Sequence, residues 1–171
     1  MQLENSCING EWREAAFSEC GRYRYRLDIT FDIDMPKTLV TICLNPSTAT
    51  HLKDDATFRR CKGFAKQLGC GSYRMLNLFA YRSTDYRALF RVHDSIGPEN
   101  TLEYLRRWTA DAIVVAAWGA HVTERIWRYY RRGDEVLATI PGVLCWDLTG
   151  SGAPRHPLYL PSSSVLKPIP V

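Results

Sequence analysis

The sequence predicts a three-layer α/β/α domain on a mostly parallel central sheet, with one antiparallel strand added on its N-terminal side. Three observations carry this expectation. Four runs, at 38–44, 73–80, 111–118 and 142–148, have the β-branched and aliphatic character of strands covered on both faces. Apolar residues at helical spacing lie between them, the alternation that makes parallel crossovers and deposits helices on both faces of a sheet. The chain of 171 residues is 46% hydrophobic, which fills one core without disulfides or metal.

Residues 1–21 are uninformative and are set apart as an N-terminal segment, leaving 22–171 as a single α/β domain. RYRYRLDITFDI, 22–33, alternates apolar and polar side chains with the period of a half-buried strand, and Pro36 ends it. TLVTICL, 38–44, is the first fully buried strand and is expected to pair antiparallel with the one before it. Asn45-Pro46-Ser47 stops it, and 57–68 then places Phe58, Cys61, Phe64 and Leu68 on one helical face. Gly69 and Gly71 end that helix, YRMLNLFA at 73–80 is the second buried strand, and a polar loop follows. Gly97-Pro98-Glu99-Asn100 opens a helix carrying Leu102, Leu105 and Trp108. DAIVVAAW at 111–118 is the third strand, 122–130 the next helix, and GVLCWDL at 142–148 the fourth strand. The tail is extended and Pro-rich, and no internal repeat is present.

Composition narrows the function. The opening MQLENSCINGEWREAAF has acidic residues and no apolar run, which predicts neither a signal peptide nor a membrane span, and hence a cytoplasmic protein. The six cysteines include no C-x-x-C pair and are expected to be reduced thiols, with Cys43 and Cys145 acting as small buried hydrophobes. The net charge of +4 is modest, but Arg far outnumbers Lys, and its planar fork suits phosphates and base stacking, so nucleic acid is permitted without being demanded. The run from Arg128 to Arg132 reads as a solvated basic face. Glycine-rich dinucleotide and phosphate loops, the H-E-x-x-H zinc motif and the G-x-S-x-G elbow are absent, which disfavours the enzymes built on them. No cofactor, no metal and no membrane association are expected, and the chain is expected to be a monomer.

In parallel sheets ligands bind beyond the carboxyl ends of the strands. Four polar clusters lie there: Asn45-Pro46-Ser47 with Asp54 and Asp55; Asn77 with Arg82 to Asp85; Trp118-Gly119-Ala120-His121; and Arg155-His156-Pro157. Each alone is also an ordinary turn, cap or surface histidine. Their convergence on one rim argues for a shared pocket. Asn77 is the sharpest member, because an amide within MLNLF needs a partner when buried and matches an adjacent donor and acceptor on a base edge. Asp54 and Asp55 precede a helix, where carboxylates cap more often than they bind metal; they read as pocket or loop-ordering residues.

CLNPSTAT, DDATFRRC, NLFAYRST, GPEN, AAWGAH and PRHPLYLP closely resemble, in this order, a bacterial and phage family known as domain of unknown function 1643. The resemblance covers most of the chain after Arg22 and brings no established activity. More remotely, the motif order is similar to the uracil-DNA glycosylase superfamily, whose first strand ends in a Gly-x-Asn-Pro-type loop and whose last carries a His-Pro-Ser-Pro-type loop. That resemblance implies a uracil-DNA-glycosylase-like form of the fold and hydrolysis of the N-glycosidic bond of a flipped base, with Asn45 and His156 as catalytic residues. It implies that Asn77 reads the base edge, that Phe79, Tyr81 or Trp118 stacks on the ring with His121 nearby, and that Ser47, Arg82 and Arg155 contact DNA phosphates. The sequence departs at Leu158-Tyr159, which replace Ser-Pro, and at Asn45, which replaces a water-activating Asp of some members.

Three functions therefore stand open: a DNA glycosylase-like enzyme acting on a base, modified or not; an enzyme for a free nucleotide or nucleoside; and a non-catalytic module that binds a modified base or nucleotide.

Overall fold

The computed structural model describes residues 1–120 and 127–170. Eight strands form one mixed sheet: β1 (Gln2–Ile8), β2 (Glu11–Phe17), β3 (Arg24–Thr30), β4 (Thr38–Cys43), β5 (Ser72–Asn77), β6 (Ile113–Ala116), β7 (Leu144–Cys145) and β8 (Lys167–Pro168). Their order is β1-β2-β3-β5-β4-β6-β7-β8. The α-helices of the described residues are α1 (Ala56–Gln67), α2 (Leu102–Thr109) and α3 (Trp127–Thr139).

This is not the expected three-layer α/β/α fold with a mostly parallel sheet, nor the glycosylase-superfamily arrangement that the remote resemblance implied. Parallel pairing is confined to β5–β4, β4–β6 and β6–β7, whereas β1–β2, β2–β3, β3–β5 and β7–β8 are antiparallel. The physical source of the difference is residues 1–17, which form a hairpin through Asn9-Gly10, both at positive φ (52° and 79°), and extend the sheet by antiparallel addition. The pairing expected between 22–33 and 38–44 is also corrected: β3 lies against β5, not β4. Apolar on both faces, β4 takes the centre between β5 and β6, while β3, carrying Arg24, Arg26 and Asp28, is displaced outward.

Alternate residues of β4 feed two cores, as the period of a strand requires. Leu39 and Cys43 pack with Phe58, Cys61 and Phe64 of α1. Val40 and Ile42 pack on the opposite face with Leu105 of α2, Val136 of α3 and Ile140 just beyond it. Asp55 caps α1, its side chain accepting the N–H of Phe58 at 2.8 Å. Gly71 has no alternative at the start of β5: a Cβ there would sit 2.1 Å from the carbonyl oxygen of Asp32 and 2.2 Å from that of Met35. Cys43 and Cys145 are buried. Arg132 is not part of a solvated face; it is buried, and its Nη2 donates to the Asn100 carbonyl at 2.6 Å. Among the described residues no helix is long and apolar enough to cross a membrane.

Candidate functional site

The loops that leave β4, β5 and β6 meet residues 153–159 at one rim of the sheet, and backbone bonds tie them together. Leu78 N and Phe79 N donate to Cys43 O and Leu44 O, prolonging the β4–β5 ladder. Ser83 N donates to Pro46 O at 2.9 Å, and Gly119 N to Pro154 O at 2.8 Å. The Asn45 amide is the side-chain part of this fastening. Its Nδ2 donates to Pro46 O at 3.0 Å and to Ser83 O at 2.8 Å, so both N–H groups hold the loops and Oδ1 is the atom left for a ligand or water.

Between these loops is a cavity of about 170 Å³ whose walls include Asn45, Ser47, Asp55, Tyr86, Trp118 and His156, with Cys43 and Met75 at its inner end. It is smaller than the roughly 300 Å³ at which drug-sized pockets begin. It is close to the roughly 150 Å³ that admits benzene in an engineered cavity, so it has room for one ring. Asp55 is the one carboxylate among its lining residues. His156 Nδ1 accepts the N–H of Leu158 at 3.4 Å, which puts the proton of the neutral ring on Nε2. Burial pushes the Cys43 thiol up to about 11, leaving it neutral at physiological pH.

Three further depressions adjoin the cavity; one of about 260 Å³ meets it at Leu44 and Trp118 and has no arginine in its lining, and the other two carry arginine. On one side, a groove of about 490 Å³ lined by Arg22, Thr48, Tyr81 and Arg82 shares Ser47, Ser83 and Thr84 with it. Arg82 is held there by a bond from Nη1 to Gly21 O at 2.9 Å and by stacking over Phe17. On the other side, a depression of about 340 Å³ lined by Gly119, Arg155 and Tyr159 shares His156. A ring-sized cavity thus sits between two open troughs, each carrying arginine.

Of the residues singled out from sequence, the cavity brings together Asn45, Ser47, Asp55, Trp118 and His156; Tyr81 and Arg82 line one trough and Arg155 the other. Asp54 is turned away and orders the loop, accepting from Arg13 Nη1 at 2.6 Å. Phe79 lies in the core with Leu76 and Leu89, away from the cavity. Asn77 is 1% exposed and is not in the lining; both polar atoms of its amide lack a hydrogen-bond partner. His121 lies outside the described residues. Sequence reasoning placed Ser83 and Thr84 at the rim within the Arg82–Asp85 cluster but missed Tyr86, which follows it, and Arg24, whose strand reads as half-exposed but which is 0% exposed. It also missed Asn100, whose buried Nδ2 donates to the carbonyls of Asn77 and Leu78 at 3.1 and 3.0 Å and fixes the end of β5.

The fold and site define a mixed-sheet protein with a polar, ring-sized cavity at the ends of its parallel strands, next to two troughs that each carry arginine. The chain belongs to the family described as Protein of unknown function (DUF1643), whose model matches residues 24–158. Comparison with curated proteins and with solved structures gives no match.

Proposed function

We propose that this chain is a DNA glycosylase-like enzyme that hydrolyses the N-glycosidic bond of a base in DNA. The observation that carries the reading is the pairing of one ring-sized cavity with arginine-bearing troughs on both sides. A flipped nucleotide puts only its base into an enclosed pocket, while the strand continues in both directions and presents phosphates on either side. A free nucleoside needs no second trough. The sheet topology lends this reading no support; it rests on the site.

In this mechanism the base stacks against Trp118 and its bond to C1′ breaks with the electron pair passing to the base. Asn45 Oδ1 orients a water towards C1′, and Asp55, whose Oδ1 already holds the Phe58 N–H, takes the water's proton. His156 Nε2–H donates to the developing negative charge on the base.

The test is release of base from labelled oligonucleotides bearing uracil, hydroxymethylated or glucosylated pyrimidines, with alkali to cut the abasic product. Cleavage by the wild type that is lost in an Asn45→Ala, His156→Ala double variant is the expected result. Failure to cleave any of these, with free nucleotide still bound, would replace this reading with the nucleotide enzyme or the binding module.

A further inference from the structure

Behind the inner end of the cavity lies a charge that the mechanism above does not use. Arg24, on β3, is 0% exposed, and among the described residues its hydrogen-bond partners are neutral. Its Nη1 donates to Ala49 O at 2.6 Å, its Nη2 lies 3.3 Å from Met75 Sδ, and its Nε has no partner. Met75 is itself part of the cavity lining, so the guanidinium stands one side chain behind the wall. Asn77 follows Met75 by two residues on β5 and is paired in register with Cys43, so its amide leaves the sheet on the same face as those two lining residues. A buried cation with no carboxylate in hydrogen-bond contact and a buried amide with no hydrogen-bond partner thus stand beside the lining residues Met75 and Cys43. Such groups are rare in native interiors and are retained where they act on something that comes and goes.

We propose that Arg24, with the Asn77 amide, makes the inner end of the cavity favour a heterocycle in its anionic form, so that the base departs as an anion stabilised from behind. The part concerning departure rests on the glycosidic reading; the preference for an anionic ring does not. Burial lowers the Arg24 pKa to about 10, so it is still a cation at neutral pH. The groups that face it are Asp55 at the start of α1, Cys43 on β4, Tyr73 on β5 and Arg82 in the loop after β5. Burial raises both the Cys43 thiol and the Tyr73 hydroxyl, which stay neutral. Asp55 is therefore the opposing charge. During hydrolysis its carboxylate takes the water's proton as the base takes the bonding pair, so one negative charge passes from Asp55 to the base while Arg24 remains in place. A low-dielectric wall strengthens that interaction relative to water.

The experiment follows the ionisation of bound 5-fluorouracil by fluorine NMR across neutral and mildly alkaline pH, in the wild type, Arg24→Gln, Arg24→Lys and Asp55→Asn. Removing the Arg24 charge is expected to raise the ionisation of the bound ring by about one pH unit, a tenfold loss of preference for the anion, while Arg24→Lys keeps most of it. A merely structural Arg24 that anchors Ala49 would change affinity without moving this value. Asp55→Asn retains the helix cap and lacks the opposing charge; it is expected to bind the ring with ionisation below the free value. It decides the question where Arg24→Gln folds too poorly to bind. The proposal is overturned by equal values in the wild type and Arg24→Gln, by an Asp55→Asn complex that ionises at or above the free ring, or by a wild type that binds no ring. Base release is measured separately. Release without an Arg24 effect removes this proposal alone, and an Arg24 effect without release removes the glycosidic reading alone.

Discussion

Asp55 joins two tasks that substitution separates. Asn is as good an N-cap as Asp, so Asp55→Asn keeps the cap of α1 while removing, on the glycosidic reading, the proton acceptor; base release is expected to fall by about 10²-fold or more. Asn100 is the reverse case, a buried amide that touches no ligand. Asn100→Ala leaves the carbonyls of Asn77 and Leu78 without their donor and should destabilise the protein by about 1–3 kcal/mol in denaturant unfolding. Cys20 offers a third, independent measurement. Hydrogen bonding to Arg22 and then Ser18 lowers its thiol to about 7, so its alkylation should rise with pH through about 7. Much of the residue-level pattern was legible: Asn45, Trp118 and His156 stood at strand ends, where topology alone sends them to one rim. Arg24 and Asn100 were not, because burial of a polar side chain depends on neighbours distant in sequence, and nothing local to RYRYR marks which arginine is covered.

The first hairpin, β1 and β2, is fastened to the rest by ion pairs as well as by the β2–β3 ladder. Arg13 bonds Asp54 in the loop beside the cavity, and Glu11 bonds Lys62 of α1 at 2.6 Å. Burial by itself would raise the Glu11 pKa, but hydrogen bonds from Lys62 and Arg13 outweigh it and hold the carboxyl below its ordinary value of 4.5. A lowered carboxyl contributes stability that is present above its unfolded pKa and is lost as pH falls through the folded one. Acidification from pH 4.5 downward should therefore lower the exchange protection of the β1 and β2 amides relative to their intrinsic rates, and Glu11→Gln should abolish that part of the pH dependence. The central strands and helices were readable because their periods of 2 and 3.6 survive in apolar residues: TLVTICL became β4 and the Phe58, Cys61, Phe64 face became the buried side of α1. The hairpin was missed because its strands, QLENSCI and EWREAAF, mix charge with small residues; Asn9-Gly10 was the local mark of a turn that joins them. Parallel pairing was over-assigned for the same reason, since a strand with one wet face carries a weaker apolar signal than a central one.

At the scale of the whole molecule the arginine-bearing troughs predict a binding signature. On the DNA reading, affinity should fall linearly with the logarithm of salt concentration, and Arg82→Ala and Arg155→Ala should each reduce the slope by about 0.7–0.9 with little change in sequence preference. Filter binding across a salt series measures both, and slopes equal to the wild type would show that the troughs carry no phosphate. The cavity also has a history in time. Its walls come from the ends of β4, β5 and β6 and from His156, and Gly119 is fastened to Pro154 only after both have been made. A chain still emerging from the ribosome can form the hairpin and the central ladder, but lacks the last wall until residues 153–159 are released. The cavity is therefore complete only once residues 153–159 have been added, and a chain that stops before them has the central ladder without the His156 wall.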